Sequence, residues 1–177
     1  MIVPRSWKDA DGVAATRELL SQAPPRRAAL RDLMAEVLSE NAYARRCATD
    51  LARRVSAREP GILRQYADVL IDLIAELPLE QWQARGYVAL AAALNASTTA
   101  QRRRLAAPVR AMIEDERIAV RAMALEAFAL LAVAEPALRD EAMALLELAR
   151  RDESCALRSR SKRMLLAMLA AENRDRP

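Results

Sequence analysis

The chain has 177 residues and no histidine, and it carries a net charge of +4. Without histidine it cannot form a Ser-His-Asp or Cys-His nucleophile, a histidine metal site or an imidazole pH switch. Three glycines are too few for glycine-rich phosphate loops or for a β-rich fold with many tight turns. Aromatic residues make up only 3% of the chain, which argues against a base-stacking surface. The composition therefore indicates a single, mostly helical domain.

The sequence favours a reducing cytoplasm as the location of the protein. The first seven residues, MIVPRSW, lack the apolar run of a secretory signal peptide. The longest uncharged stretch, residues 86–101, is too short and too polar at its end to span a bilayer. Cys47 and Cys155 match no metal or redox spacing. Both lie in apolar helical patterns, so we expect buried free thiols. No cofactor, metal or membrane association is predicted.

A short frame recurs along the chain at intervals of 36 to 40 residues. It is clearest in DERIAVR (115–121) and DESCALR (152–158), which are offset by 37 residues. A glutamate five residues before an arginine also occurs in SENAYAR (39–45) and LEQWQAR (79–85). Internal periods of this length are typical of helical repeat proteins.

Each frame predicts the start of a helix. Ser39, Asp115 and Asp152 are good N-cap residues, and the glutamate that follows each one favours the positive end of the helix dipole. Apolar or small residues then recur at helical spacing. In the third frame they are Val120, Ala124, Leu125, Phe128, Leu131 and Ala132, and in the fourth Leu157, Ser161, Met164, Leu165 and Met168.

A turn and a second helix follow each of the first three frames. The predicted apolar stripes of these second helices are Ile62, Tyr66, Val69, Leu70, Leu73 and Ile74; then Leu105, Val109, Met112 and Ile113; then Leu138, Ala142, Leu145, Leu146 and Ala149. Pro108 lies within the second of them. A proline inside a helix removes a hydrogen bond, so we expect Pro108 to kink or split that helix.

These elements predict one domain, 1–177, of about nine helices. A degenerate helix pair occupies 1–38, and its first helix opens with a sequence like a capping box at 6–9. Three repeats follow, a last helix caps them, and a polar tail ends the chain. The corresponding ranges are 39–78, 79–114, 115–151, 152–171 and 172–177.

The repeated helix pairs resemble HEAT repeats. The third carries the pattern best, with Asp115, Val120, Arg121, Ala124, Phe128, Pro136, Leu138 and Leu145. The fourth matches with Asp152, Leu157, Arg158, Ser161 and Leu165. The second departs from it with Leu79 and Val88, and the first has Ala52 at the large apolar position. The resemblance covers residues 39–170, most clearly from 115 onward. It implies an all-α fold, a right-handed α-α superhelix of the armadillo type.

The recurring arginines are predicted to stabilise the stack of repeats. Stacking would place each arginine near an aspartate or glutamate of a neighbouring repeat, and the resemblance implies the same. The ladder would consist of Arg45, Arg85, Arg121, Arg158, Asp115 and Asp152. We expect Arg121→Ala to lower stability without selectively removing a binding activity.

By analogy with the family, the second helix of each pair lines a concave inner surface. With the apolar stripes turned inward, the outward residues are Arg64, Asp68, Asp72, Arg103, Arg110, Asp140, Glu147 and Arg151. The sign of the charge alternates along this row, whereas a nucleic-acid groove needs a continuous positive track. The row therefore favours a protein partner or a plain solvated face.

Nucleic-acid binding is the main alternative. The strongest basic patch is residues 102–104, although a charged helix start on a solvated face has the same composition. HEAT-like proteins include alkylpurine DNA glycosylases, which are expected to present aromatic side chains and a carboxylate to the lesion. Trp82 and either Asp68 or Asp72 could supply these groups, but nothing in the sequence places them together. The family also includes phycobilin lyase-type proteins, for which no bilin site can be argued here.

We therefore predict a non-enzymatic scaffold or adaptor that binds a protein partner through its concave surface in a bacterial-type cytoplasm. The outer face of the last helix, with Arg158, Arg160, Lys162 and Arg163, is polar enough to serve as a cap. A monomer and an oligomer are both compatible with the sequence.

Overall fold

A computed structural model describes residues 18–21 and 26–175, with side chains described from 27 to 172 in the second range. Every regular element in these ranges is helical and none is a strand, which confirms the predicted all-α class. The expected capping box at 6–9 lies outside the described residues, as do Trp7 and the last two residues of the predicted tail. No helix in the described ranges is long and apolar enough to cross a bilayer.

Residues 18–21 are helical, and eight further α-helices follow them, which gives nine helices in the described part of the chain. The eight are α1 (Arg26–Val37), α2 (Ala42–Arg58), α3 (Ala67–Glu76), α4 (Trp82–Asn95), α5 (Thr99–Ile113), α6 (Ile118–Ala134), α7 (Arg139–Ala149) and α8 (Cys155–Asp175). Short 3₁₀ turns precede α3, α4 and α7. Helix α8 continues four residues into the segment predicted as a polar tail.

The chain divides into two compact units, Met1–Ser97 and Thr98–Pro177. In the first unit α2 packs against α1 and α4, and α3 packs against α4. In the second unit α6 packs against α5, α7 and α8, and α7 also contacts α8. The boundary between the units falls inside the predicted repeat 79–114, so α4 belongs to the first unit and α5 to the second.

The predicted apolar stripes mostly form the cores of the units. All six residues predicted for the stripe of α6 are buried, and Phe128 is the largest of them. In α3 the prediction was wrong for Val69, which is 38% exposed, while the neighbouring Ile71 is buried. The face of α3 that packs inward holds Leu70, Ile71 and Ile74, and Val69 lies at its edge because successive residues of a helix are about 100° apart.

The helices begin later than the sequence predicts. Helix α2 is capped by Asn41, whose side-chain oxygen accepts hydrogen bonds from the backbone N–H groups of Tyr43 and Ala44. Ser39, the predicted cap, accepts from the Asn41 N–H instead. Asp115 and Asp152 each accept from the backbone N–H two residues later, at 2.8 Å. Aspartate readily forms such turns with its own backbone, which moves the helix start beyond it.

Pro108 lies inside α5, which is continuous from Thr99 to Ile113. A split of the helix, one of the two predicted outcomes, is therefore excluded, and a kink stays a prediction. The proline removes the hydrogen bond to the carbonyl of residue 104, and the helix continues past it to Ile113.

A buried polar network in the first unit was not predicted. Asn95, at the end of α4, is 2% exposed. Its Oδ1 accepts from the Leu63 N–H at 2.7 Å, and its Nδ2 donates to Ser56 Oγ at 2.8 Å and to the Ala91 carbonyl at 2.7 Å. The turn before α3 is thereby fixed to α2 and α4, and it contains Gly61 at a φ of 84°.

Candidate functional site

The four recurring arginines occupy the same position in their helices but have different acceptors. Arg45 donates to the side chain of Gln81 at 2.9 Å, and Arg121 donates to the carboxylate of Asp152 at 3.4 Å. Arg85 donates to the Ile74 carbonyl. Arg158 donates to the carbonyls of Asp152 and Glu153. The structure therefore joins Arg121 to a ladder carboxylate in the next helix pair, whereas Arg45 meets an amide.

The residues predicted to point outward are mostly exposed. Seven of the eight are exposed, and Glu147 is half-buried. In the second unit two of them already have acidic partners within the unit. Arg103 pairs with Glu135 at 3.2 Å and Arg110 pairs with Glu141. Part of the predicted binding row is thus occupied by ion pairs inside the protein.

Glu135 lies directly after α6 and is 5% exposed. Burial by itself raises the pKa of this carboxyl group. Hydrogen bonds from Arg103, Thr99 and Arg102 outweigh burial, so the pKa lies below its ordinary value. Two residues of the basic run 102–104 consequently neutralise a buried carboxylate of their own unit.

Arg110 forms a bidentate pair with Glu141 and joins α5 to α7. Its Nε and a terminal nitrogen donate to the two carboxylate oxygens at 2.5 and 2.7 Å. The guanidinium also lies 5.3 Å from the centre of the Phe128 ring, a distance at which cation–π attraction operates. The hydrogen bond from Arg110 lowers the pKa of Glu141, and burial opposes this shift.

An open pocket of about 380 Å³ lies in the second unit. Its wall is mostly apolar, and it is formed by the end of α5, the start of α6, the end of α7 and the start of α8. The lining residues are Ile113, Arg121, Leu125, Leu145, Leu148, Ala149, Arg151, Asp152 and Leu157.

The rim of this pocket combines one exposed leucine with charged groups. Leu148 is 71% exposed, the largest exposed fraction of any large hydrophobic residue in the described ranges. Arg121 and Asp152 form an ion pair at 3.4 Å and are both about one-third exposed. Arg151 is exposed. The arrangement offers an apolar surface beside a positive charge, which is suited to binding.

Arg121, Arg151 and Asp152 were predicted from the sequence as candidate residues, but Leu148 was not. A signal was present, because Leu146 and Leu148 are two residues apart and lie about 200° apart around a helix. One face cannot bury both, and the structure buries Leu146. The pocket itself depends on residues from four helices, and no local pattern brings those together.

Other candidate groups have more ordinary surroundings. Trp82 is half-buried at the first residue of α4. Cys47 is half-buried and Cys155 is exposed at the start of α8, so the expectation of two buried thiols was wrong. The stripe of α8 faces inward from Leu157 and leaves Cys155 on the other side. In the part of the chain that the structure describes, no three acidic or cysteine side chains are grouped as a metal site requires.

Helix α8 exposes more apolar surface than its sequence suggested. Arg158, Lys162 and Arg163 are exposed, as expected for a polar cap. Further along the helix Leu166 is 60% exposed and Leu169 is 44% exposed.

No family model, curated protein or solved structure with which the chain was compared matches it.

Proposed function

We propose that this protein is a non-enzymatic scaffold or adaptor of HEAT-like helical repeats that binds a protein partner. Support for the repeats comes from the recurring arginine, which is the fourth residue of each of the helices α2, α4, α6 and α8. Support also comes from the packing of α2 against α4 in one unit and of α6 against α8 in the other. In each case the first helices of consecutive pairs are neighbours, as in a stack of repeats.

The observation that carries the binding proposal is the open pocket with Leu148 at its rim. Burying a leucine side chain is worth about 1.5–3 kcal/mol, yet Leu148 is left in contact with water beside an apolar cavity. Exposed apolar surface that continues into an apolar cavity supports a site that another protein covers.

The pairing of the arginines favours a protein over a nucleic acid. Arg103 and Arg110 are neutralised by Glu135 and Glu141. Binding to a phosphate backbone would require these arginines to exchange a close carboxylate for a phosphate, with no gain in released counterions from the paired charges. A protein partner can use the apolar pocket without disturbing either pair.

The test is affinity capture from the source organism with three forms of the full chain. We expect the wild type to retain a stoichiometric protein partner and Leu148→Glu to lose it, because a carboxylate cannot enter an apolar contact without a desolvation cost. The control is Leu79→Glu, which changes a leucine that is 63% exposed in the first unit and lies outside the pocket.

Both variants change exposed side chains, so their free energies of unfolding should lie within about 0.5 kcal/mol of the wild-type value. Chemical denaturation can verify this. Equal recovery of the partner by all three forms would contradict the role of the pocket. Recovery of nucleic acid alone, with retention on DNA that falls steeply as salt rises, would overturn the scaffold proposal in favour of its alternative.

A further inference from the structure

We propose that the pocket of the second unit takes a segment of a partner protein in which a leucine-sized apolar side chain lies next to a carboxylate. This inference rests on the proposed function and adds the chemistry of the partner. The apolar side chain would enter between α6 and α7, and the carboxylate would pair with Arg151.

The shape of the pocket favours a protein segment over a small molecule. Its volume of about 380 Å³ is at the lower end of the roughly 300–1,000 Å³ of small-molecule sites, which enclose most of their ligand. This pocket is open, and Leu148 is 71% exposed at its rim. A small molecule that fills the cavity leaves most of Leu148 in water, whereas a protein surface covers the cavity and the rim together.

The charges at the rim determine which sign of charge the partner should carry. The lining contains two arginines and one aspartate, and Arg121 is already paired with Asp152. The neighbouring Arg150 is paired with Glu147 at 3.1 Å. Arg151 is exposed, and its guanidinium forms no ion pair with a carboxylate of the described residues. The remaining charge at the pocket is therefore a single positive one, and an acidic group complements it.

Arginine is also suited to this role because its planar fork binds a carboxylate through two parallel hydrogen bonds. Arginine is also among the residues that are enriched at the energetic centres of protein interfaces. Since Arg151 follows α7 and Leu148 lies in its last turn, one short segment of a partner can reach both residues.

The probe for this proposal is a displayed library of random peptides, selected on the full-length chain and counter-selected on Leu148→Glu. We expect the enriched peptides to share an apolar residue beside an aspartate or glutamate. In solution the selected peptide should bind Arg151→Glu at least tenfold more weakly than the wild type. A peptide with lysine in place of the acid should regain most of that loss on Arg151→Glu.

Arg58→Glu is the matched control, because it reverses an exposed arginine at the end of α2 in the other unit. It should leave the affinity of the peptide unchanged. Enriched peptides without an acid, or binding that is insensitive to Arg151→Glu, would overturn the inference. A selection that yields no peptide would overturn it too. The same holds if no peptide binds but octanoate, a small molecule with an apolar chain and a carboxylate, binds saturably in a way that depends on Arg151.

These failures can be distinguished from failure of the proposed function. Suppose that affinity capture recovers a protein partner with the wild type and with Arg151→Glu, but not with Leu148→Glu. The scaffold proposal then stands, and only the acidic chemistry of the partner is wrong.

Discussion

In the first unit α2 and α4 are joined through neutral acceptors, whereas carboxylates join helices in the second unit. In the first, Arg45 and Arg46 of α2 donate to Gln81 and Gln83, near the start of α4. Buried Asn95 joins the turn before α3 to the same two helices.

In the second unit the corresponding connections are ion pairs. Arg103 and Arg110 of α5 pair with Glu135 and Glu141, and Glu126 of α6 accepts from two arginines of α8. One helical pattern is thus stabilised by two kinds of polar contact. The stability of the second unit should depend on pH and salt, whereas the first unit should depend most on one buried amide.

The largest expected effect is in the first unit, with Asn95→Ala. This change leaves the buried Leu63 N–H without its acceptor, and an unsatisfied buried group costs about 1–3 kcal/mol. It also removes the bond that Ser56 Oγ accepts from Asn95, while the bond from Ser56 to the Ala52 carbonyl remains. We expect a loss of about 2–4 kcal/mol in the free energy of unfolding, measured by denaturation in urea. Hydrogen exchange should show lost protection around residue 63.

The control for Asn95→Ala is Asn41→Ala in the same unit. Asn41 is an exposed N-cap, and removal of such a cap costs about 1 kcal/mol. Equal losses for the two asparagine variants would show that burial of the Asn95 network adds no stability to the first unit.

The second prediction concerns pH and the second unit. The pKa values of Glu135 and Glu141 are lowered in the folded chain, so the unfolded chain binds more protons as the pH falls through the usual carboxyl range. The stability that these groups supply is present above their unfolded pKa of about 4.5 and is lost at more acidic pH. The double variant Glu135→Gln/Glu141→Gln should therefore melt below the wild type at neutral pH.

The two forms should converge as the pH falls below the usual carboxyl range and through the lowered pKa values of the folded chain, because the wild-type carboxylates become protonated there. Thermal melting followed by circular dichroism across this range measures the difference. A gap in melting temperature that is constant from neutral to acidic pH would refute the contribution of these two ion pairs to stability.

The smallest effect is expected from the recurring arginines, and salt distinguishes them. Arg45→Ala and Arg121→Ala should each cost about 0.5–1 kcal/mol, as partly exposed polar contacts do. Raising the salt from about 0.1 M to 1 M shortens the screening length from about 10 Å to 3 Å. The cost of Arg121→Ala should then shrink because its partner is a carboxylate, while the cost of Arg45→Ala should persist. Equal salt dependence would remove the distinction between the two units.

Much of the helical architecture could be predicted from local pattern. Residues such as Val120, Phe128 and Leu131 recur at helical spacing, and burying them together gives α6 its inward face. Helix starts were less predictable, because Asp115 forms a turn with the N–H two residues later. Sequence pattern alone does not separate that turn from an N-cap, since both use the same short carboxylate.

The candidate site was only partly predictable. The exposure of Arg151, which follows α7, was predicted by turning the apolar stripe of that helix inward. A helix with more leucines than one face can bury must also expose one of them. The pairing of Arg103 with Glu135 could not be derived, because it spans 32 residues and depends on how α5 and α6 pack. The same holds for the cavity beneath Leu148.

The sequence by itself determined the all-helical fold, the apolar faces and the recurring positions of the arginines, because these depend on residues within a few turns of one another. Tertiary structure decided which acceptor each arginine meets, which leucine stays exposed and where a cavity opens. Those outcomes depend on the distances between helices, and packing sets these distances through residues that are far apart in the chain.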